Sequence, residues 1–292
     1  MHIAVLAARD SWYLADLVRA SGGRHEITPV SYKTIGSHIQ GGELSIHSGR
    51  VDLRQCDGLL IRSMPPGSLE QVVFRMDALA RLEAEGLRVV NPPKAIEVAV
   101  DKYLATARLQ AAGMLVPPTI VCQSADQALA GFETLGGDVV VKPLFGGEGR
   151  GLTRVSDAAV ARRVFMALEQ LGSVLYVQKF IPHDGVDWRL LVIDDEVLGM
   201  KRINPDDWRT NISLGGRAGP LEVTAELAQL ARRAATAVGA TVAGVDLLPA
   251  RDGRLYALEV NAVPGWRALA KVTNVDVAAC VLEHIAHLAP GQ

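Results

Sequence analysis

Along the first 95 residues, short apolar runs alternate with amphipathic stretches of helical period. Four of the apolar runs have the length of buried strands. They are residues 3–6, 26–31, 57–62 and 88–91. Helices are predicted between them, over residues 11–21 and 68–85, each with a glycine just beyond its end. Because strands alternate with helices, we expect an open parallel sheet, with residues 33–49 as a loop containing some extended pieces.

Ligands of open parallel sheets bind beyond the carboxyl ends of the strands. Arg9 follows the first predicted strand, and Arg62 and Ser63 stand at the end of the third. These residues are candidates for substrate binding, although ordinary strand-to-helix loops are an equally good interpretation. No Gly-x-Gly-x-x-Gly follows the first strand, which argues against a dinucleotide-binding domain.

Beyond Pro92-Pro93, which we take as a boundary, helices are mixed with antiparallel strands. Helices are predicted over residues 101–112, 124 onward, 156–171, 224–238 and 274–288. A hairpin is predicted to join residues 187–193 to residues 196–202. His284 and His287 lie three residues apart on the last helix, a spacing common enough that surface positions are favoured over metal ligation.

A glycine-rich loop follows the apolar run that ends at Lys142. Its glycines are Gly146, Gly147, Gly149 and Gly151. Glycine lets the backbone approach a ligand closely and point its N–H groups at phosphate oxygens. No Gly-Lys-Ser/Thr closes the loop, so it is not a Walker A loop, and strand signals at residues 139–142 and 152–155 favour a flap between antiparallel strands. A floppy hairpin tip is the alternative, but the lysine at the strand end favours contact with phosphate.

Residues 245–261 have the pattern of two short apolar strands around a tight turn. The Asp-Gly pair at positions 252–253 predicts a two-residue hairpin turn. Counting outward from it, Asp246 faces Glu259, and Asn261 lies on the same face as Glu259. Paired carboxylates about 5 Å apart at Cβ repel each other unless a cation lies between them, and such an all-oxygen set suits Mg²⁺. The alternative is a solvated hairpin, but the apolar flanks favour a metal site.

Composition and charge argue against several classes of protein. The chain has 292 residues, 49% hydrophobic and 21% charged, which is ordinary for a globular protein of two or three domains. A net charge of −2 provides no general attraction to nucleic acid or anionic membranes. Three widely separated cysteines predict reduced thiols in a cytoplasmic protein. There is no long apolar run and no basic leader, so we expect neither a membrane span nor a signal peptide.

Taken in order, these signals resemble the ATP-grasp superfamily. The order is Lys102 on a helix, Lys142 on a strand, the glycine flap, an exposed strand end at residues 178–181, Asp187, and then Asp246 with Glu259-Val260-Asn261. Three stretches are similar to the RimK-type glutamate ligases of that superfamily, namely residues 187–189, 208–211 with the glycines that follow, and 259–265. Residues 62–79 and 100–103 are similar to the branch that adds glutamate to tetrahydromethanopterin-type one-carbon carriers.

This resemblance implies an α/β (α+β) ATP-grasp fold. Residues 1–95 would form the Rossmann-like domain, and two α+β subdomains, residues 96–182 and 183–292, would clamp ATP. Lys102 and Lys142 would bind the ATP phosphates under the flap. The adenine site would be formed by Gln178, Lys179, Phe180 and Ile181, with the backbone of Lys179 and Ile181 bonding the base. Relatives often carry Glu where Lys179 stands, a difference that is harmless if only its backbone is used.

The remaining implied roles concern ribose, metal and substrate. Asp187 would bind the ribose, and Arg202, Arg209 and Asn211 would lie near the triphosphate, with the two arginines as catalytic residues. The metal ligands would be Asp246, Glu259 and Asn261, holding Mg²⁺ or possible Mn²⁺. Substrate-binding residues would be Arg9, Arg62, Ser63, Arg189, Gly215 and Gly216.

The implied activity is ATP-dependent ligation of a carboxylate to an amine. The γ-phosphoryl group would pass to a carboxylate, and L-glutamate would attack the acyl phosphate to give an amide. The expected acceptor is a one-carbon carrier of the tetrahydromethanopterin or methanofuran type, and the expected assembly is a homo-oligomer, dimer or tetramer. Glutamylation of a ribosomal protein tail or of another small carboxylate is an alternative, as are an ATP-binding module without turnover and an NAD-linked oxidoreductase. The near-neutral charge counts against a protein-tail acceptor. The full set of predicted ligands counts against a module without turnover, and the missing glycine fingerprint counts against an oxidoreductase.

Overall fold

The computed structural model describes residues 1–147 and 149–288. The first elements are β1 (His2–Leu6), α1 (Trp12–Ser21), β2 (Glu26–Val30), β3 (Ile35–Gln40), β4 (Glu43–Ser48), β5 (Val51–Asp52), β6 (Gly58–Ile61), α2 (Leu69–Ala84) and β7 (Arg88–Val90). A parallel sheet has the order β2-β1-β6-β7, which confirms the predicted open sheet. Helix α2 begins with a complete capping box between Ser68 and Gln71.

The expectation of a loop at residues 33–49 was wrong. Strands β3, β4 and β5 form a separate antiparallel sheet there. Gly41 and Gly42 supply the positive φ angles, 61° and 86°, that the turn between β3 and β4 requires. Most of β3 is exposed, and Ile46 on β4 is fully buried. Since the sheet buries so few of its side chains, the alternation that signals a strand is weak in this stretch.

The middle of the chain forms a second sheet flanked by helices. Its elements are α3 (Pro93–Val100), α4 (Lys102–Ala111), β8 (Thr119–Cys122), α5 (Ala125–Thr134), β9 (Val139–Lys142), β10 (Thr153–Val155), α6 (Ala158–Gln170) and β11 (Leu175–Lys179). The sheet order is β10-β9-β11-β8, and all its pairs are antiparallel. The pairing of β9 with β10 confirms that the glycine loop joins antiparallel strands.

Helix α3 was missed because Pro92-Pro93 was interpreted only as a boundary. Pro93 stands in the first turn, where a helix tolerates the missing N–H. Ala95, Ile96 and Val98 are buried. The two prolines therefore begin a packed helix.

The last part of the chain is built on an antiparallel sheet. Its elements are β12 (Val186–Ile193), β13 (Glu196–Ile203), β14 (Arg217–Pro220), α7 (Ala225–Val238), β15 (Val242–Pro249), β16 (Leu255–Asn261), α8 (Arg267–Thr273) and α9 (Val277–His287). The sheet order is β14-β13-β12-β15-β16. The predicted hairpin is confirmed by the pairing of Asp187 with Arg202 and of Ile193 with Glu196.

The hairpin of β15 and β16 reaches the predicted pairing by a different route. Ala250 N donates to Arg254 O at 2.9 Å, and Gly253 has a φ of 81°, so the loop contains residues 251–253 and not a two-residue turn. This loop shifts the register by one residue. A β-bulge at Leu258 shifts it back, so Asp246 still pairs with Glu259.

Two hydrophobic clusters join the first sheet to the last part of the chain. One contains Leu6 and Leu59 together with Val245 and Val260, and another contains Ile3 with Trp266 and Val281. The division at residues 95 and 182 stays a prediction.

His284 on α9 is buried, with Nε2 at 2.8 Å from Thr241 Oγ1, so its predicted surface position was wrong.

Within residues 1–147 and 149–288, no helix combines the length and the apolar character needed to cross a bilayer.

Candidate functional site

A cavity lies between the middle sheet and the last sheet, beneath the glycine flap. Most of the residues predicted to bind nucleotide or metal line it. These are Lys102, Lys142, Gly146, Gly147, Gly149, Gln178, Lys179, Phe180, Ile181, Asp187, Arg202, Asn211, Asp246 and Glu259. Residues far apart in the chain thus meet around one cavity.

One end of the cavity is cationic. Lys142 ends β9, and its Nζ lies 6.0 Å from the centre of the Tyr176 ring. Lys102 begins α4, and its Nζ donates to Gly146 O at 2.6 Å. Burial lowers the pKa of Lys142 to about 8 and also lowers the pKa of Lys102, although Glu259 opposes both shifts. A ligand that brings negative charge, such as a phosphate, would relieve this cost.

The flap closes against the segment that follows Thr210. A Cβ added at Gly149 would lie 2.5 Å from Asn211 Oδ1 and 3.0 Å from Leu214 Cδ1, and the φ of Gly149 is 75°. Gly151, with a φ of 73°, packs similarly against Pro143, whereas a Cβ at Gly147 would meet open space. Glu148, inside the predicted flap, lies outside the described residues. The contact at Gly149 therefore requires a residue without a side chain.

Asp246 and Glu259 face each other at the other side of this end. Asp246 is buried and paired with Arg202 at 2.8 Å, and Arg189 Nη2 donates to its Oδ2 at 3.0 Å. Its Oδ1 contacts Arg189 Nε but accepts no aligned hydrogen bond. In the part of the chain that the structure describes, the Glu259 carboxylate has no hydrogen bond and no ion pair. Burial raises the pKa of Glu259, and Asp246 raises it further.

These observations fit a divalent cation. Two facing carboxylates with an unsatisfied oxygen are the hard oxygen ligands that Mg²⁺ takes. Asn261 follows on the same strand, but its Oδ1 accepts a hydrogen bond from Val263 N at 2.8 Å and its side chain is outside the set that lines the cavity. Its role as a metal ligand stays a prediction.

A buried charge network surrounds Asp246, one of the two predicted metal ligands that face each other. Arg202 Nε donates to Asp187 Oδ1 at 2.7 Å, and Thr210 Oγ1 donates to Asp187 Oδ2 at 2.6 Å. Although burial alone would lower it, the pKa of Arg202 is raised by Asp246 and Asp187. Asp187 lines the cavity with both its oxygens engaged by the protein, so its contact with ribose stays a prediction.

The other end of the cavity is apolar and suits a flat base. Ile181, Leu248 and Tyr256 form a small cluster with Leu258 packed against it. Lys179 N donates to Pro118 O at 2.8 Å, so of the Lys179 backbone only the carbonyl is left to bond a base, and the bond from the Ile181 backbone stays a prediction. The side chain of Lys179 is exposed, as expected for a residue that contributes only its backbone.

Several predicted residues lie elsewhere. Arg209 pairs with Asp207 at 2.6 Å and is outside the cavity lining, so its catalytic role stays a prediction. Arg9 and Ser63 are exposed at the ends of β1 and β6. Gly215 ends a short 3₁₀ turn, and Gly216 N donates to Asn211 O at 3.1 Å. Arg189 contacts Asp246, as described above.

Arg62 is buried, and its position does not favour contact with a substrate. Its guanidinium lies 4.1 Å from the centre of the Trp266 ring and 4.8 Å from that of Tyr13. Its Nη2 donates to Pro264 O at 2.7 Å. The space beyond this strand end is thus filled by the protein's own chain.

Some residues that line the cavity were missed from the sequence. Leu258 is the extra residue of the β-bulge, and the bulge lets Leu258 and Glu259, neighbours in the chain, both face the cavity. Leu248, His183 and Trp208 line it as well. Asp246 and Leu248 are two apart on one strand, so period-two alternation could have found Leu248. Nothing in the sequence signals the bulge.

Comparison with known proteins gives a consistent result. The model of the RimK-like ATP-grasp domain matches residues 99–285. The tetrahydromethanopterin:alpha-L-glutamate ligase of Methanocaldococcus jannaschii is 36% identical over 296 residues, with 98% of each chain covered. The Glutamate–LysW ligase ArgX of Sulfurisphaera tokodaii is 30% identical over 212 residues, covering 70% of this chain and 75% of its own.

Among solved structures, the ATP-grasp ligase PsnB complexed with minimal precursor, Mg and ADP has a similar fold. Its TM-score is 0.75 at 21% identity, and 97% of each chain is covered. The predicted ATP-grasp fold and the predicted membership among RimK-type ligases are confirmed. The chain therefore belongs to the RimK-like ATP-grasp family.

Proposed function

We propose that this chain is an ATP-dependent, ADP-forming carboxylate–amine ligase that adds L-glutamate to a small carrier of the tetrahydromethanopterin type. One observation carries the proposal. The cavity combines two lysines with lowered pKa values, a glycine flap and a facing pair of carboxylates. The similarity to the M. jannaschii ligase spans 98% of both chains and supports the same class of substrate.

Different residues of the cavity would bind different parts of the nucleotide. The apolar cluster at Ile181 would hold adenine, and Lys102 and Lys142 would pair with phosphate oxygens. Asp246 and Glu259, with Asn261, would hold Mg²⁺, which would supply positive charge to offset the negative charge that develops during phosphoryl transfer.

The chemistry follows from the weakness of a carboxylate as an electrophile. The acceptor carboxylate oxygen attacks the γ-phosphorus of ATP, the bond to the β-γ bridging oxygen breaks, and ADP leaves. The amine of L-glutamate then attacks the acyl carbon, and phosphate leaves as the amide forms and the amine gives up a proton. Arg202 pairs with Asp187 and Asp246 and would stabilise negative charge on the phosphoryl oxygens. The flap excludes water from the acyl phosphate by packing on Asn211.

A protein tail is the alternative acceptor, since ArgX ligates glutamate to LysW. The net charge of −2 offers no broad basic surface for docking an acidic tail. We further propose that Mn²⁺ can replace Mg²⁺ and that the chain forms a homo-oligomer. The free thiols of Cys56, Cys122 and Cys280 are in keeping with a cytoplasmic location.

The test is a coupled assay of ADP release with L-glutamate and a panel of acceptor carboxylates, with mass spectrometry of the product. The panel contains a tetrahydromethanopterin-type carrier, a methanofuran-type carrier and peptides that end in glutamate. We expect ADP release only when acceptor, glutamate and Mg²⁺ are all present, and a product heavier by one glutamyl group. A glutamylated peptide would establish the protein-tail alternative, and tight ATP binding without acceptor-stimulated ADP release would establish a module without turnover.

A further inference from the structure

The segment that begins at the last predicted metal ligand, Asn261, is held by the N-terminal part of the protein. This segment, residues 261–266, is called the metal loop here. Within this loop, Asn261 Oδ1 accepts a hydrogen bond from Val263 N at 2.8 Å, which orients the Asn261 side chain. Glu259 lies two residues before this segment on β16. The orientation of both side chains therefore depends on the path of the metal loop.

Three contacts from the N-terminal part fix this path. Arg62 Nη2 donates to Pro264 O at 2.7 Å, and Asn91 Nδ2 donates to Ala262 O at 2.5 Å. The Trp266 indole N–H donates to Asp16 Oδ2 at 3.0 Å. Arg62 directly follows β6, and Asn91 directly follows β7. The carboxyl ends of these parallel strands are therefore hydrogen-bonded to a loop of the last sheet.

The contact made by Arg62 has an unusual composition. The side chain is 8% exposed, its guanidinium lies against the rings of both Trp266 and Tyr13, and no carboxylate pairs with it within the described residues. Its Nε is buried and unpaired. Burial lowers the pKa of Arg62 to about 10, so the guanidinium remains a cation at neutral pH. Burying an unpaired cation is costly, and a carbonyl with two aromatic rings offsets only part of that cost.

We propose that Arg62 is a positioning residue for the metal site: it holds the metal loop against the first sheet so that Glu259 and Asn261 present their oxygens to the cation. The inference rests on the proposed function, because it assumes that these residues bind Mg²⁺. It also changes the role assigned to Arg62, from a substrate ligand to a support of the metal ligands. Residues that support metal ligands typically change metal affinity by tenfold or more when they are replaced.

Arg75 provides a matched control in the same protein. It is 7% exposed, its guanidinium lies 5.6 Å from the centre of the Tyr32 ring, and its Nη1 donates to Pro65 O at 2.9 Å. Both arginines thus combine burial, an aromatic ring and a proline carbonyl. Arg75 makes none of its contacts with the metal loop, so its replacement carries the same kind of packing loss without the proposed effect.

The experiment compares the Mg²⁺ dependence of nucleotide binding in wild type, Arg62→Met and Arg75→Met. Calorimetry measures the affinity for a non-hydrolysable ATP analogue at a series of free Mg²⁺ concentrations, and thermal melts verify folding. We expect Arg62→Met to require about tenfold more Mg²⁺ for half-maximal tightening, with affinity for the metal-free analogue unchanged. We expect Arg75→Met to retain the wild-type requirement.

Two results overturn the proposal: a wild-type Mg²⁺ requirement in Arg62→Met, or an equal shift in Arg75→Met. If Arg62→Met does not fold, Arg62→Lys replaces it, because lysine keeps the charge but cannot stack flat on Trp266 while it donates to Pro264. A wild-type Mg²⁺ requirement in Arg62→Lys also overturns the proposal. If nucleotide binding by the wild type is independent of Mg²⁺, the proposed function fails, which is a separate outcome.

Discussion

Lys142 is expected to take up a proton when nucleotide binds. In the nucleotide-free protein, burial lowers the pKa of this lysine from 10.5 to about 8. The unfolded chain therefore keeps the proton up to the ordinary pKa, whereas the folded protein loses it above about pH 8. Between these two values the unfolded state binds more protons, so the stability of the free protein rises with pH. Below pH 8 the buried cation costs roughly 3.5 kcal/mol, from about 2.5 pH units at about 1.4 kcal/mol each.

Negative phosphates favour the charged lysine, so binding should move its pKa back up. Proton uptake then equals the fraction of Lys142 that is neutral before binding. With a pKa of about 8, this fraction is about 0.1 at pH 7, about 0.5 at pH 8 and about 0.9 at pH 9.

Calorimetry in two buffers of different ionisation enthalpy measures this uptake directly. Lys142→Arg is the control, since a guanidinium stays charged at all three pH values while Glu259 and the other titrating groups are retained. The uptake of the wild type minus that of the variant should rise across pH 7 to 9. A difference that stays near zero would show that Lys142 is not a phosphate ligand with a lowered pKa.

Further predictions concern the metal pair, the flap, the phosphate lysine and the core. Glu259→Gln should abolish Mg²⁺-dependent ADP release without lowering the melting temperature, because the change removes repulsion from Asp246; retained activity would contradict the metal assignment. Gly149→Ala should lower the maximal rate roughly tenfold to a hundredfold, since its Cβ would collide with Asn211, while Gly147→Ala should leave the rate near wild type; equal rates would argue against flap closure. Lys142→Ala should weaken ATP binding by about 1–3 kcal/mol by calorimetry, and an unchanged affinity would refute a phosphate contact. Asn91→Ala should lower the free energy of unfolding in urea by about 3 kcal/mol or more, because buried bonds to Val242 and Ala262 are lost; a loss below about 1 kcal/mol would contradict this.

The sequence predicted those parts of the fold whose signals are local. Helices such as α2 and α7 carry a cap at the start and an amphipathic period, and both lie close to the predicted positions. The sheet of β3, β4 and β5 was missed because its strands bury few side chains, so the pattern of alternation is weak. Helix α3 was missed because proline signals both a boundary and a helix start.

In the candidate site, too, local signals could be predicted and tertiary contacts could not. Asp246 and Glu259 were paired correctly, but through a two-residue turn that the hairpin does not have. The longer loop and the bulge cancel in register, and neither could be deduced from an Asp-Gly signal alone. The position of Arg62 could not be predicted either, because it depends on contact with Trp266, more than 200 positions away in the chain. Tertiary contacts of this kind leave no periodic signal in either segment.

The grip of β6 and β7 on the metal loop limits how the chain can be re-engineered. A chimera that takes residues 1–91 from a relative, in order to change the acceptor, would set a foreign Arg62 and Asn91 equivalent against the native backbone at Ala262 and Pro264. Such a hybrid would carry a misaligned cation site. Recombination should therefore transplant residues 1–91 and 261–266 together, even though residues 92–260 lie between them.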